Sequence, residues 1–324
     1  MKLYQADATG WMGMYCLNMM RIALELAKEN NAYEGLATKF FEHYVHVGAA
    51  MKHMGRKGFQ LWDEKEGFFH DILRHPDGRM EQFKVRSLVG LIPLFAIERL
   101  EANWLKPFKN FRADLDWFFK NRQDLVEHTI TTLDHDGEKV HVLSMLKPEQ
   151  MSRILATVWS KDEFRSDYGL RSMSKHHEKH PFSLGDNWVG YEPGESISLL
   201  KGGNSNWRGP IWFPATFMLI ESLRKMRKGY GGVLNIEQDD GTRQFINLEA
   251  MSRGFAEGLM DIFKRDENGR RPVFGDVEKM QTDEHWKDNL LFYEYFHGDT
   301  GKGLGASHQT GWTALIASII DEWR

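Results

Sequence analysis

Apolar residues recur every three or four positions in several long segments of the chain, the spacing that places them on one face of a helix. The first apolar face consists of Trp11, Tyr15, Met19, Ile22 and Leu26. The second consists of Leu36, Phe40, Tyr44, Val47 and Met51. The same spacing predicts further helices over residues 85–103, 112–121, 149–159, 211–228, 247–264, 283–296 and 310–323.

In two stretches apolar and polar residues alternate with a period of two, as in a β-strand. They span residues 129–145 around Asp136-Gly137 and residues 233–248 around Asp240-Gly241, and an Asp-Gly pair between alternating segments predicts a β-hairpin. The strand–helix–strand succession of a doubly wound sheet or a TIM barrel is not apparent. The predicted fold is therefore mainly α with β-hairpin decorations. Paired helices of similar length allow a toroid of helical hairpins, and without a linker the sequence predicts one domain over residues 1–324.

Composition narrows the choice of partners. The 324 residues carry 42 Lys and Arg against 46 Asp and Glu, a balance that argues against a surface built to follow nucleic-acid phosphates. The longest apolar runs are about half the ~20 residues of a membrane helix, so no membrane partner is expected. The single cysteine, Cys16, allows no intrachain disulfide and favours the cytosol. Aromatic residues make up 13% of the chain, and because indole faces bind sugar rings they favour carbohydrate weakly.

The stretch over residues 202–213 combines glycine, two tryptophans and an arginine ahead of a predicted helix. In a functional interpretation Trp207 or Trp212 stacks on a sugar ring, while Arg208, next to Gly209, donates charge-assisted hydrogen bonds to the ligand. In a purely structural interpretation the same residues anchor a helix N-terminus with buried tryptophan. The concentration of polar and aromatic groups on a loop favours the functional interpretation.

A second stretch, residues 291–313, places Glu294 among phenylalanine and tyrosine at the end of a predicted helix, followed by a glycine-rich turn. A carboxylate in such surroundings is suited to acid or base catalysis, which makes Glu294 the leading catalytic candidate. The alternative is a surface glutamate on an amphipathic helix. His308 and Trp312, farther along this stretch, are candidate substrate contacts.

Asp7 precedes the first predicted helix, where it acts either as an N-cap or, with Trp11, as a contact for a sugar hydroxyl. Further loop residues are substrate contacts or structural ion pairs, namely Trp62, Asp63, Arg86, Arg171 and Glu192. The histidines over residues 176–180 are one position short of a metalloprotease motif and are predicted to form a solvated loop, so no metal is assigned. Serine-elbow, dinucleotide and EF-hand patterns are not recognisable, and no cofactor is predicted.

These motifs together resemble glycoside hydrolase family 63, which contains processing α-glucosidase I and bacterial α-glucosidase and mannosylglycerate hydrolase relatives. The family's Trp-Arg-Gly-Pro-hydrophobic-Trp stretch is matched over residues 207–212, and its glutamate beside an aromatic residue is matched by Glu294. Gly311-Trp312-Thr313 begins seventeen residues later, as in the family pattern. Further similarity lies at residues 5–7, 61–63, 67–69, 85–87 and 168–172.

The resemblance implies an (α/α)6 barrel and inverting, exo-acting hydrolysis of a small α-glucoside or α-mannoside, with Glu294 as general base. The family's general acid lies in a Gly-Leu-Asp stretch that precedes the match to residues 5–11, and these 324 residues contain no such stretch. We therefore expect a chain that lacks the first helices of the barrel, with the N-terminal part of the same enzyme as its partner. Asp7 is the candidate for a substitute acid within the chain, and the alternative is the substrate-binding or supporting role that the family gives to the equivalent residue.

Two other functions remain open at this level. A glycan-binding protein without catalysis would keep the aromatic residues and need no acid. A sugar epimerase on the same toroid would need a proton-transferring histidine, for which His308 is the candidate.

Overall fold

The computed structural model describes residues 2–4, 6–52, 60–197, 207–231, 236–237 and 245–323. By its internal contacts the chain divides into two compact units. The first unit comprises Met1–Lys84, Val89–Ile154 and Lys225–Asn235, and the second comprises Val85–Leu88, Leu155–Arg224 and Ile236–Arg324. The single domain expected from the sequence stays a prediction, and each unit is described by itself.

The longest secondary-structure elements are helices. The α-helices are α1 (Ala6–Ala27), α2 (Tyr33–Lys52), α3 (Lys109–Asn121), α4 (Gln123–Thr129), α5 (Pro148–Trp159), α6 (Phe213–Tyr230), α7 (Leu248–Asp261), α8 (Glu278–Thr282), α9 (Thr310–Thr313) and α10 (Ile316–Trp323). Short 3-10 helices cover Leu88–Gly90, Ile92–Phe95, Lys175–Glu178 and Pro272–Phe274. In the part of the chain that the structure describes, no helix has both the length and the apolar character needed to cross a bilayer.

The strands are short and pair antiparallel. They are β1 (Lys2–Tyr4), β2 (Trp62–Asp63), β3 (Phe68–Phe69), β4 (Asp71–Arg74), β5 (Met80–Phe83), β6 (Ile97–Glu101), β7 (Ile130–His135), β8 (Glu138–Ser144), β9 (Arg165–Ser166), β10 (Gly169–Leu170), β11 (Phe182–Leu184), β12 (Asn187–Val189), β13 (Ile236–Glu237), β14 (Phe245–Ile246), β15 (Tyr295–Phe296) and β16 (Gly303–Leu304). Two sheets have three strands, in the orders β1-β4-β5 and β6-β8-β7, and the others are two-stranded. This confirms the predicted mainly α class with β-hairpin decorations, and the α/α toroid stays a prediction.

In the first unit α1 and α2 pack against each other, and Leu17, Met20 and Leu24 of α1 are fully buried. Side chains from distant segments cap the helices. The Asp71 carboxylate accepts a hydrogen bond from the Ala6 N–H at 2.8 Å, and the buried Glu34 accepts one from the Phe111 N–H at 2.9 Å. These carboxylates satisfy N–H groups that a helix leaves open at its N-terminus.

The apolar face predicted for the first helix is not its buried face. Tyr15, Met19, Ile22 and Leu26 are among the exposed large apolar residues, whereas the core is formed by the stripe through Leu17. Both stripes have helical spacing, so periodicity identified the helix correctly and its buried side wrongly.

In the second unit α7 packs against α10, and the Trp159 ring meets Phe255 edge-on at 5.5 Å. Isolated β-bridges join Ile211 to Arg171 on one side and to Phe296 on the other. These bridges fix the backbone at three of the sequence motifs, because each motif contributes one paired residue.

Two predicted helices are wrong. Residues 85–103 form 3-10 turns followed by β6, because Pro93 lacks a donor and residues 97–101 pair with β8. Residues 283–296 form turns that lead into β15, which pairs with β16 across the glycine-rich loop. The predicted final helix over 310–323 is divided into α9 and α10.

The predicted hairpin over residues 129–145 is confirmed by β7 and β8, with Asp136 and Gly137 at positive φ in the turn. The second predicted hairpin is present as β13 and β14, but its Asp240-Gly241 turn lies outside the described residues.

Candidate functional site

Glu294 lies immediately before β15, not at the end of a helix as the sequence predicted. Its N–H donates to the Ala306 carbonyl at 2.9 Å, and its Oε2 accepts the Ala306 N–H at 3.2 Å. Gly305 has φ +69°, and a Cβ there would lie 2.7 Å from Glu294 Oε2. The glycine-rich loop therefore folds closely around the half-buried carboxylate, and only glycine at position 305 permits this approach.

The Gly-Trp-Thr motif holds the same segment from the other side. The Trp312 indole N–H donates to the Glu294 carbonyl at 2.9 Å, and the Thr313 hydroxyl donates to the Tyr293 carbonyl at 2.7 Å. The Gln309 side chain caps α9 by accepting the Gly311 N–H at 3.2 Å. The spacing noted in the sequence thus has a structural cause, because Trp312 and Thr313 fix the backbone on which Glu294 is carried.

A cluster of aromatic rings surrounds Trp212, which is 8% exposed. Tyr295 stacks on it at 4.9 Å, Trp207 meets it edge-on at 5.7 Å, and Trp312 lies at 6.1 Å. Within the described residues the Trp212 indole N–H is buried and has no hydrogen-bond partner. A buried donor without a partner is costly, so this N–H is a candidate hydrogen-bond donor to a ligand. Tyr295, which the sequence analysis did not select, is anchored by donating to Glu195 Oε2 at 2.9 Å.

Arg208 lies inside the protein at 1% exposure. Its Nη1 is 3.8 Å from Glu192 Oε2, and its carbonyl accepts the Glu192 N–H at 2.7 Å. Burial lowers the pKa of Arg208, and the charge of Glu192 opposes that effect. Gly209 has φ +144°, and a Cβ there would meet the Tyr191 ring at 2.7 Å. Arg208 and Glu192 therefore form an internal pair, and a direct sugar contact for either stays a prediction.

Arg171 has a comparable internal role. Its Nε donates to the Tyr191 hydroxyl at 3.0 Å, and its Nη2 donates to Asp299 Oδ1 at 3.0 Å. Lys175 also reaches Asp299 at 3.2 Å. Burial alone would raise the pKa of Asp299, but hydrogen bonds and charge from Arg171 and Lys175 hold it below its usual value. Asp299 was missed by sequence reasoning because its partners are more than 100 residues away.

Arg86 forms an ion pair with Glu163, and its backbone N–H donates to His177 Nε2 at 2.8 Å. His177 is 5% exposed, and its Nδ1 contacts the His180 carbonyl at 2.8 Å. The expectation of a wholly solvated histidine loop is therefore wrong for His177, which connects two segments of the second unit. His308 is exposed, with its ring 6.1 Å from Phe292.

The other predicted site residues belong to the first unit. Asp7 lies within the first turn of α1 rather than before it, and its Oδ1 accepts the Ala8 N–H at 2.7 Å. The Trp11 ring lies 6.0 Å from Phe95. Trp62 is 3% exposed, lines two clefts of about 360 and 300 Å³, and has no partner for its indole N–H among the described residues.

Asp63 belongs to a polar cluster that the sequence analysis did not assemble. Its Oδ1 accepts the N–H groups of Lys65 and Glu66 at 2.8 and 3.0 Å, and its Oδ2 lies 2.7 Å from the Lys84 ammonium. Glu66 bridges Lys84 at 3.1 Å and His70 Nε2 at 3.1 Å. Ligand atoms of Asp63, Glu66 and His70 lie within 4.8 Å of one another, a spacing that a metal could use. The Lys84 ammonium already supplies a positive charge to both carboxylates.

Comparison with known proteins identifies the family. The model of the mannosylglycerate hydrolase MGH1-like glycoside hydrolase domain matches residues 114–313, more than half of the chain. An uncharacterized protein of Saccharomyces cerevisiae is 42% identical over 339 aligned positions, which cover 99% of this chain and 31% of that protein.

More distant similarity extends to two named glycosidases. A probable mannosyl-oligosaccharide glucosidase of Schizosaccharomyces pombe is 24% identical over 173 residues, and the mannosyl-oligosaccharide glucosidase of Saccharomyces cerevisiae is 22% identical over 178. Each match covers 53% of this chain and 15% of the relative. The chain thus spans less than a third of the length of these curated relatives.

Proposed function

The chain belongs to the family of mannosylglycerate hydrolase MGH1-like glycoside hydrolase domains, and on that premise we propose that it is an inverting α-glycosidase. In this proposal Glu294 is the general base, and the substrate is a small α-glucoside or α-mannoside. The similarity to proteins named mannosyl-oligosaccharide glucosidases supports a glucoside as the substrate.

The observation that carries the proposal is that the two Glu294 carboxylate oxygens differ in their hydrogen bonding. Oε2 accepts the Ala306 N–H, whereas Oε1 has no hydrogen-bond partner within the described part of the chain. A general base needs a fixed carboxylate with one oxygen available to a water molecule. The glycine-rich loop fixes the group and leaves Oε1 available for that water.

The proposed reaction takes place in one step. Glu294 removes a proton from water as the water oxygen attacks the anomeric carbon, and a carboxylic acid on the opposite face protonates the leaving oxygen. The two carboxyl groups of an inverting glycosidase stand about 6.5–9.5 Å apart, which leaves room for the water. We assign the acid to polypeptide outside these 324 residues, with Asp7 as the candidate inside them.

The aromatic cluster would hold the sugar. Trp207 and Trp312 offer indole faces or edges, and the buried Trp212 N–H offers a hydrogen-bond donor to a hydroxyl. In this proposal Arg208 and Arg171 hold the surrounding segments in place and do not contact the sugar, because Arg208 pairs with Glu192 and Arg171 pairs with Asp299.

The test measures release of glucose or mannose from a panel of α-linked disaccharides and glycosylglycerates. It uses the chain alone and the chain with its encoded flanking sequence. Glu294→Gln should lower kcat by about 100- to 10,000-fold, the usual contribution of a general base, with little change in sugar binding. Glu278→Gln, an exposed glutamate paired with Arg270, is the matched control and should retain full turnover. Equal turnover in the wild type and Glu294→Gln would refute the assignment.

A glycan-binding role without catalysis is the second candidate. It is favoured by the absence of the Gly-Leu-Asp stretch from this sequence, since binding requires the aromatic cluster but no acid. Calorimetry with the same sugars would distinguish the two, because binding with no turnover in either length of polypeptide would support it.

The proposed ligand is carbohydrate, and the proposed compartment is the cytosol. The compartment is supported by the single cysteine, which leaves the chain without an internal disulfide. Imaging of the full-length protein with a fluorescent tag tests this, and a secretory location would contradict it.

A further inference from the structure

Helix α1 exposes a continuous apolar stripe on the side opposite its packed face. The exposed fractions are 51% for Met12, 54% for Tyr15, 38% for Met19, 52% for Ile22 and 44% for Leu26. The positions differ by three, four, three and four residues, so the side chains form one line. At a rise of 1.5 Å per residue that line is about 21 Å long.

The same helix is apolar on its buried side, where Leu17, Met20 and Leu24 pack in the first unit. Its 22 residues include only three charged side chains, Asp7, Arg21 and Glu25. A helix that is apolar on both sides is typical of a protein interior rather than a surface. Large connected apolar surfaces on soluble proteins commonly mark interaction sites.

The charge pattern of α1 argues against a membrane as the occupant. Helices that lie on membranes carry several Lys or Arg residues beside the apolar face. In α1 the basic residue is Arg21, whose guanidinium lies 3.9 Å from the centre of the Trp104 ring. A second helix, by contrast, fits a stripe with spacing of three and four, because such ridges pack into the grooves of another helix.

The length of the relatives indicates where that helix comes from. The relative that is 42% identical aligns with 99% of this chain but with only 31% of its own length, so it contains ample further polypeptide. We propose that the α1 stripe is the docking surface for an amphipathic helix of the same protein, encoded outside these 324 residues. The proposal does not depend on the glycosidase assignment.

The experiment places a cysteine in the stripe. In a Cys16→Ser background, Ile22→Cys is modified with a maleimide in the 324-residue chain and in the polypeptide with its encoded flanking sequence. We expect modification at least tenfold slower in the longer form, because the docked helix covers position 22. Lys120→Cys, at an exposed position on α3, is the control and should react at the same rate in both forms.

Four results would overturn the proposal. Equal rates of maleimide modification at position 22 in the two forms would show that no further helix covers the stripe. A gene that encodes no further residues would show the same. Protection in the short chain that grows with protein concentration would indicate a second copy. Protection only with added vesicles of phosphatidylcholine and phosphatidylserine would indicate a membrane.

A second variant keeps the test independent of cysteine chemistry. Tyr15→Gln/Ile22→Gln should reduce binding of the dye ANS by the short chain, since it removes exposed apolar surface. The same double change should lower the Tm of the longer form by more than that of the short form. Equal shifts in the two forms would contradict docking.

Discussion

The carboxylates of Glu294 in the second unit and of Asp63 and Glu66 in the first are partly or fully buried, yet their surroundings differ. The oxygens of Asp63 and Glu66 are shared among backbone N–H groups, His70 and the Lys84 ammonium. Glu294 has one backbone donor on Oε2 and, within the described residues, none on Oε1. The carboxylates of Asp63 and Glu66 are therefore neutralised and hydrogen-bonded within their own cluster. The Glu294 carboxylate is held in place but keeps one oxygen available to react.

Gly305→Ala should have the largest effect of the substitutions at these two sites, and it should act on catalysis. A Cβ at this position would lie 2.7 Å from Glu294 Oε2, so the carboxylate or the loop must move. A displacement of about 1 Å can lower a rate about 100-fold, and we expect a loss of that order in kcat. Steady-state kinetics on an α-linked substrate measure it.

Gly137→Ala is the matched control for Gly305→Ala. Gly137 also has positive φ, at +87°, but a Cβ there meets nothing within 4 Å. It should reproduce the backbone strain without the clash, lowering the Tm slightly and leaving kcat unchanged. A similar loss of kcat in both variants would show that Glu294 is not held by the close approach of Gly305.

Lys84→Met should have the next largest effect, on stability. It removes the ammonium that lies 2.7 Å from Asp63 and 3.1 Å from Glu66, leaving two neighbouring carboxylates without that charge. We expect a loss of about 2 kcal/mol in the free energy of unfolding, less than for a fully buried pair because Lys84 is partly exposed. Urea denaturation measures it.

A second substitution tests the cause of that loss. Adding Glu66→Gln to Lys84→Met should recover part of the stability, because one of the two negative charges is then removed. If the double variant is less stable than Lys84→Met by the full effect of Glu66→Gln alone, the two groups are not coupled.

The pH dependence of Glu66 is the smallest expected effect. Its hydrogen bond to His70 lowers the pKa of Glu66 from 4.5 to about 2 against the opposing effect of burial, with Lys84 adding to the decrease. A depressed carboxyl pKa stabilises the folded state above the unfolded value and loses this contribution as the pH falls toward the folded value. The Tm of the wild type should therefore exceed that of Glu66→Gln at pH 7 and approach it between pH 4.5 and 2. A constant difference across this range would contradict the assignment.

Local signals in the sequence predicted much of this protein. Spacing of three and four residues identified α1, α2, α5 and α7 within a few residues, and Asp136-Gly137 identified the turn between β7 and β8. Motif spacing also associated Glu294 with Trp312, which the structure joins through the indole N–H. These features depend on residues near one another in sequence, or on a family pattern that preserves a distant pair.

The sequence-based predictions failed where the conformation of the backbone or the partner of a side chain is set by a segment far away in sequence. Residues 97–101 have an apolar pattern that a helix could use, but pairing with β8 makes them a strand. Asp299 carries no sequence signal for its ion pair, because Arg171 is 128 positions away. The sequence likewise could not show that Arg208 is buried against Glu192.

The amino-acid sequence by itself determined the helical class and the wider glycoside hydrolase relationship, and it proposed Glu294 as the catalytic candidate, since these depend on periodicity and on short motifs. Tertiary structure alone decided which stripe of α1 is buried and which oxygen of Glu294 has a partner. The physical reason is that periodicity specifies an apolar face without specifying what packs against it. A side chain's chemistry likewise depends on donors and charges that only the folded chain brings within hydrogen-bond distance.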